Sequence, residues 1–397
     1  MDSSAYCASR GLSAVVILGP NSPVAADVVV INTNSRTDDA NTASNKVRQA
    51  VTNLKGRVIY KKIDSTLRGN VGAELQAAME EFGCEKAIVA PAFPAVGRTT
   101  VAGVLLVKGV GVTETQFAYD PISPIKESHI PTLLEQSTKH RVGYITVKHI
   151  DTGVESLYRK ISRMPQDIVV CDVTTQSHLT SIVQAAALAK GRWLLCGSGG
   201  LARELHLFFT KVPSVKRTKL ASLVSGPALV VVGTRNQVTA KQLLKAKDEL
   251  GLSILNLEVE QLNQEGIAPG KVGSIVEEID HFLGQGKSVA LSSVFSRFMP
   301  TLKQQVATIM AEAVAGIVNS NRLAGLFLSG GDIAAAVCRS LSVSAIRVHG
   351  EVEPGVPAGE LIGGKGEGIR VVTKAGGFGT EATLVKSILY LEKGHLP

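Results

Sequence analysis

The densest concentration of reactive side chains is the run Lys61-Lys62-Ile63-Asp64-Ser65-Thr66-Leu67-Arg68-Gly69-Asn70. It follows the apolar strand pattern Val58–Lys61 and precedes a helical pattern that starts near Asn70. A strand-to-helix loop presents free backbone N–H groups and the positive end of a helix dipole, and both favour an anion. Lys62 and Arg68 add charge suited to a carboxylate or phosphate. Asp64 suits a substrate hydroxyl, as hydrogen-bond acceptor or as base. The bland alternative is a surface loop in which Asp64 pairs with Arg68 while Ser65 or Asn70 caps the helix. A second run, Asn32-Thr33-Asn34-Ser35-Arg36, follows another apolar strand. There Arg36 could grip a carboxylate, or the run could simply cap the helix Asp39–Leu54.

The C-terminal half offers a different chemistry. Ser329-Gly330-Gly331-Asp332 follows the strand pattern Gly325–Leu328, Gly233-Thr234-Arg235-Asn236 follows Ala228–Val232, and Lys374-Ala375-Gly376-Gly377-Phe378-Gly379 follows Ile369–Thr373. Paired glycines let backbone approach a phosphate, and Ser329 can donate to it. Three such loops at one sheet edge point to a nucleotide; ordinary turn chemistry is the alternative. Other signals fail. Cys196-Gly197-Ser198-Gly199-Gly200-Leu201 lacks the dinucleotide spacing and reads as tight-turn packing. Gly286-Lys287-Ser288 lacks the upstream glycine of a P-loop, His281 standing there, and it precedes its strand. The histidines form no HxxxH or HExxH pattern and no G-x-S-x-G appears, so neither a zinc site nor a nucleophile elbow is expected.

The elements that position these loops alternate short β-branched strands with longer helical patterns, which predicts parallel sheets with crossover helices. The strands expected in the front half are Ser13–Leu18, Val28–Asn32, Val58–Lys61, Lys86–Ala90, Ile168–Cys171 and Trp193–Cys196, with Val101–Val107 as a hairpin arm. Periodicity lapses at Lys211–Gly226, where Pro213 and several basic residues gather, and it restarts at Ala228. The expected architecture is therefore α/β: two doubly wound, mostly parallel-sheet domains, residues 1–212 and 226–397, with a cleft between them and chemistry at the carboxyl ends of the strands.

Composition agrees. The 397 residues are 45% hydrophobic and 19% charged, which excludes general disorder. Aromatics at 4% and the lack of a dense basic stripe argue against a nucleic-acid binder despite the net charge of +8. No apolar run has the length of a membrane helix, the N-terminus does not read as a signal peptide, and five scattered cysteines read as reduced thiols, so a cytoplasmic protein is expected.

The run Lys61–Leu75, KKIDSTLRGNVGAEL, closely resembles the signature of the four-carbon acid sugar kinases, which phosphorylate threonate, erythronate or 3-oxo-tetronates with ATP. NTNSR (Asn32–Arg36), PAFPAVGRTTVAG (Pro91–Gly103), GSGGLA (Gly197–Ala202), LSGGD (Leu328–Asp332), EVEPGVPAG (Glu351–Gly359) and KAGGFG (Lys374–Gly379) resemble that family in the same order. The resemblance implies a sugar-acid-binding front domain and an ATP-binding rear domain. Carried over by position, Arg36, Lys62, Ile63, Asp64 and Ser65 would contact the sugar acid. Asp64, Lys62 and Arg68 would serve the chemistry. Thr234, Asn236, Ser329, Gly330, Gly331, Asp332, Gly376 and Gly379 would contact ATP, with Mg²⁺ bridging its phosphates and no protein-held metal site.

Three departures stand out. The family's first strand and its Asp-Asp-x-Thr-Gly-Ala loop have no counterpart ahead of Met1-Asp2-Ser3-Ser4, which is expected to leave a gap in a parallel sheet. The family's Gly-Ser-x-Ser loop is Gly233-Thr234-Arg235-Asn236 here, and Ala375 stands where Ser is usual. The leading reading is an ATP-dependent sugar-acid kinase whose partners are its two small substrates, with a homodimer allowed for. The alternatives are a truncated, non-catalytic relative and, more remotely, an NAD-dependent oxidoreductase.

Overall fold

The computed structural model describes residues 2–18, 25–52, 54, 58–120, 123–190, 193–208, 226–265, 270–297, 299–318 and 323–394. The chain divides into two compact units, Thr33–Val212, and Met1–Asn32 together with Pro213–Pro397. The expected linker at 211–225 lies outside the described residues.

In the first unit the strands Tyr60–Lys62, Trp193–Gly197, Lys86–Ala90, Ile168–Cys171 and Val142–Ile145 form one sheet in that order, every neighbouring pair parallel. Side chains alternate across a strand, so Ala87 and Val89 face one core while Ile88 and Ala90 face another. Helix Val71–Phe82 covers the first face through Val71, Leu75 and Ala78. Helices Val154–Arg163 and Gln176–Leu188 cover the second through Leu157, Ile161, Leu179 and Val183. Burial on both faces explains why the central strands read as unbroken apolar runs. The expected hairpin arm is a three-stranded antiparallel sheet, Arg98–Val101, Val104–Val107 and Val110–Gly111.

The second unit is built on nine strands. Ser253–Asn256, Val289–Ser292, Ala228–Val232, Gly325–Ser329 and Arg370–Lys374 are adjacent and parallel in that order. Val356–Ile362, Ala345–Glu353 and Ala14–Ile17 continue the sheet antiparallel, and Val28–Ile31 closes it parallel to Ala14–Ile17. This corrects two expectations. The first two strands belong to the rear unit's sheet rather than the front one, because Ala14 and Val16 pack in one core with Ile346 and Val348. The anticipated gap is also not seen: among the described strands both sheets pair without interruption. Among the described residues no helix is long and apolar enough to cross a membrane.

Candidate functional site

The loop from Ile63 to Asn70 hangs between strand Tyr60–Lys62 and helix Val71–Phe82. Ile63 ties its start to the sheet by donating its N–H to Gly197 O at 2.8 Å. Its side chain is buried in the core, so only its backbone can face a ligand. Leu67 is likewise buried and takes a left-handed backbone (φ 66°), a strained conformation that lets Arg68 fold back over Asp64. Asn34 (φ 47°) is the corresponding strained residue of the 32–36 run.

The two polar runs are one assembly. Asn70 Nδ2 donates to the carbonyls of Ser35 (3.1 Å) and Asp38 (2.8 Å). Asn70 occupies the N-cap position of helix Val71–Phe82 but makes no side-chain capping bond, and Asp39 caps helix Ala40–Val51. Neither run therefore caps its helix through a side chain, although the Asp64–Arg68 pair of the bland alternative is present. Beneath them Lys61 Nζ meets Glu74 at 2.5 Å, and Glu74 accepts from Ser35 Oγ at 2.7 Å.

Asp64 is the electrostatic centre. It accepts from Arg68 Nε (3.0 Å) and Arg68 Nη2 (3.2 Å), from Thr66 N (3.2 Å) and from Thr66 Oγ1, with Arg36 Nη2 at 3.7 Å. Burial opposes its charge, but the hydrogen bonds from Arg68 and Thr66 and the two guanidinium charges overcome this and hold the carboxyl far below the usual range. Arg68 also reaches Asp120 at 3.0 Å. Arg98, from the three-stranded sheet, donates to Ser65 Oγ at 2.8 Å, while its buried Nε has no hydrogen-bond partner among the described residues. Both Arg68 and Arg98 lie against the Phe117 ring, at 5.4 and 5.7 Å from its centroid. Three guanidiniums thus face two carboxylates, Asp64 and Asp120, and Arg36 is more than half exposed. Among the described residues this arrangement has room for the counter-charge of an acidic group. Lys62 is exposed and donates to Ile63 O at 3.1 Å; no described contact ties it to Asp64.

In the second unit, parallel pairing puts the turns after three strands at one sheet edge: Val232 sits opposite Ser329, and Ser329 opposite Lys374. Gly233 N donates to Ser329 O (3.2 Å) and Gly330 N to Lys374 O (2.9 Å), so the chains leave the sheet side by side. Gly330, at φ 108°, makes the turn that only glycine adopts readily. Gly376 lies so close to Thr234 that a methyl group there would run into its hydroxyl. Gly379 packs in the same way on Thr383. Asn236 Oδ1 caps helix Gln237–Leu250 at Val238 N (2.9 Å). Around Gly331 a side chain would meet open space.

The groups offered here are donors. Ser329 Oγ is fully buried with no partner among the described residues, and the amides of Gly376, Gly377 and Gly379 on the adjoining turn have no acceptor among them. That donor set fits the phosphates of a nucleotide. Asp332, the carboxylate on these turns, is paired with Lys303 at 2.6 Å. The GSGGLA segment is packing, as expected, since Gly200 is pressed against Ala92 O and Phe93.

Sequence reasoning missed Arg98, Phe117, Asp120 and Lys374. Arg98 and Lys374 stood inside motifs already singled out. Asp120, 52 residues beyond Arg68, had no local signal.

The chain matches two family models, a sugar-binding N-terminal domain over residues 1–205 and a nucleotide-binding C-terminal domain over residues 229–384. It is 32% identical to a D-threonate kinase of Salmonella typhimurium, over 99% of this chain and 96% of that one. It is 34% identical to a D-threonate kinase of Bordetella bronchiseptica (91% and 85% covered) and 29% identical to a D-erythronate kinase of Heliobacterium modesticaldum (92% and 87%). Among solved structures, a Salmonella typhimurium protein superposes with a TM-score of 0.83 at 22% identity, covering 97% of this chain and 95% of that one. A Haemophilus influenzae protein gives 0.79 at 20% identity, with 97% and 96% covered. These two likenesses show the fold.

Proposed function

The chain belongs to the four-carbon acid sugar kinase family, and we propose that it moves the γ-phosphoryl group of ATP to a hydroxyl of a threonate, an erythronate or a 3-oxo-tetronate, in the breakdown of sugar acids. The observation that carries the reading is the guanidinium excess around a single strongly acidic carboxylate, Asp64, in the unit that holds the family signature. A sugar acid brings both things that arrangement lacks: a carboxylate for Arg36 and Arg98, and a hydroxyl for Asp64.

In this reading Asp64 orients the attacking hydroxyl by accepting its hydrogen bond. Its proton affinity is too low for efficient general-base work. Phosphoryl transfer passes through a loose transition state in which positioning and charge neutralisation dominate, so a weak base suffices. Arg68, clamped between Asp64 and Asp120, keeps a fixed positive charge beside the acceptor oxygen. Lys62 and Ser65 serve the sugar acid, Ser65 through Arg98. ATP sits on Thr234, Asn236, Ser329–Asp332, Gly376 and Gly379, and Mg²⁺ arrives on its phosphates. The chain spans 96% of the Salmonella D-threonate kinase, which speaks against a non-catalytic remnant. The test is ADP release with ATP and a panel of D-threonate, D-erythronate and 3-oxo-tetronates. Turnover with at least one supports the reading; none, in a chain shown to be folded, refutes it.

A further inference from the structure

Lys374 ends the strand Arg370–Lys374 and is only 3% exposed. Its ammonium donates to Thr239 Oγ1 (2.9 Å) and to the carbonyls of Gly376 (3.0 Å), Ala375 (3.3 Å) and Phe378 (3.4 Å). Among the described residues no carboxylate pairs with it. Glu353, which holds the same turn from the other side, is committed to Lys386 (2.8 Å), Thr380 and Thr383. A buried cation balanced only by carbonyl dipoles is unfavourable unless those dipoles are well aimed.

The aim has a consequence for the other side of each peptide group. A trans peptide is planar, so the C=O of one residue and the N–H of the next point in opposite directions. Carbonyls of Ala375, Gly376 and Phe378 drawn onto the ammonium therefore turn the N–H groups of Gly376, Gly377 and Gly379 away from it. None of these three amides has an acceptor among the described residues. Successive outward amides form an anion-binding concavity. Thr239 locks it to the neighbouring turn, donating to Gly376 O at 2.8 Å while Gly376 rests on Thr234.

We propose that Lys374 is the positioning residue of the nucleotide site, gathering the carbonyls of the 375–378 turn inward so that three glycine amides face the phosphates of ATP. This rests on the kinase reading, and it adds a residue that touches no substrate yet sets affinity for one of them. Burial holds the Lys374 ammonium down to about 8. The groups facing it are Thr239 Oγ1 and the three carbonyls, with Gln242 bracing the same turn through the carbonyls of Phe378 and Thr380. Once the ammonium loses its proton, the attraction that gathers the carbonyls weakens and the amides lose their aim. Nucleotide affinity then falls above about pH 8. The fold does not weaken for the same reason: an unfolded lysine still holds the proton that Lys374 has released, so this group's contribution to stability rises over that interval. Opposite signs for affinity and stability separate positioning from a merely structural role.

The test is calorimetric titration of the full chain with ADP at about pH 7 and about pH 9.5, with KM for ATP and for the sugar acid measured in parallel. Loss of charge-assisted bonds predicts that Lys374→Met raises the ADP Kd and the KM for ATP by about tenfold or more, flattens their pH dependence and leaves the sugar-acid KM within about twofold. Lys374→Arg should recover part of the loss, and Thr239→Val should weaken ADP by roughly three- to tenfold. The parent's Kd should rise at least about fivefold between the two pH values. A folded Lys374→Met chain that binds ADP within about twofold of the parent overturns the proposal. Should that variant not fold, an unchanged Kd in Thr239→Val or a flat pH profile in the parent overturns it. A parent that binds no ADP at either pH overturns the kinase reading instead.

Discussion

Asp64→Asn separates orientation from proton abstraction. The amide oxygen can still accept from Arg68 Nε, now at 3.0 Å from the carboxylate. The amide nitrogen, however, must face Arg68 Nη2, which donates to Asp64 at 3.2 Å, so a donor meets a donor. One charge-assisted bond is lost and an unfavourable contact replaces it, about 2–3 kcal/mol in all. The side chains are only 15% and 23% exposed, so water screens little of this. Expressed in the transition state, the loss lowers kcat/KM for the sugar acid by about 30- to 160-fold. Expressed in the fold, it lowers Tm by roughly 4–12 °C for a unit of this size. The carboxyl is held far below the usual range, so its contribution to stability is complete above its unfolded value and is lost only as pH falls through the folded one. The kinetic loss should accordingly be the same at about pH 6 and about pH 9, measured by coupled ADP release. A loss below about tenfold would remove Asp64 from the site. An acidic limb near about pH 5–6 in the parent that disappears in Asp64→Asn would show that this carboxyl titrates there, and would refute the argument from its hydrogen bonds.

Arg98→Met, which keeps the contact with Phe117 but removes the charge, should raise the sugar-acid KM by about tenfold or more while leaving the KM for ATP within about twofold, read from the same assay. Gly376→Ala pushes the 375–379 turn off Thr234 and should raise the KM for ATP by at least about tenfold with the sugar-acid KM unchanged. Gly200→Ala drives a methyl group into Ala92 O and Phe93, so it should lower unfolding free energy by roughly 1–3 kcal/mol in a denaturant titration without altering nucleotide affinity. For Glu353, burial works against the charge, but Lys386 and the Thr380 and Thr383 donors hold the carboxyl at about 2. Stability of roughly 1–3 kcal/mol, reduced by water screening at the half-exposed Lys386, should therefore be present above about pH 4.5 and fade as pH falls toward 2, and Glu353→Gln should abolish that dependence.

What the sequence made legible follows local physics. Strand-to-helix turns advertise themselves by glycine and short polar residues after an apolar run, and that rule located the 329–332 and 374–379 turns closely. The Lys61–Asn70 loop stood out because cations, a carboxylate and hydroxyls crowd a short stretch, although its internal pairing was visible only in outline. What local rules could not find depends on long-range pairing. Ala14–Ile17 looks like any parallel strand, and its antiparallel register with Ala345–Val348 is decided by which face of each is buried. Ala345–Val348 reads as a strand, but its extension to Glu353 and its partner Val356–Ile362 were hidden because the polar residues Glu351, Glu353 and Glu360 break the apolar pattern while serving as anchors and ion pairs. Asp120 reaches Arg68 only because the 112–120 segment folds over the loop.

The two departures from the family's glycine turns become intelligible in the same terms. A serine at position 375 would add one hydroxyl, but the work at that position is done by the carbonyl of Ala375, which accepts from Lys374 and from Phe378 N at 3.1 Å. Alanine keeps that carbonyl and therefore keeps the amide of Gly376 aimed outward. In the other turn, Asn236 caps its helix and Thr234 presents a hydroxyl against Gly376. Phosphate binding through backbone amides tolerates such exchange because every residue other than proline carries the donor. In the proposed nucleotide site the intolerant positions would be those that fix peptide orientation, namely Gly330, Gly376 and Lys374.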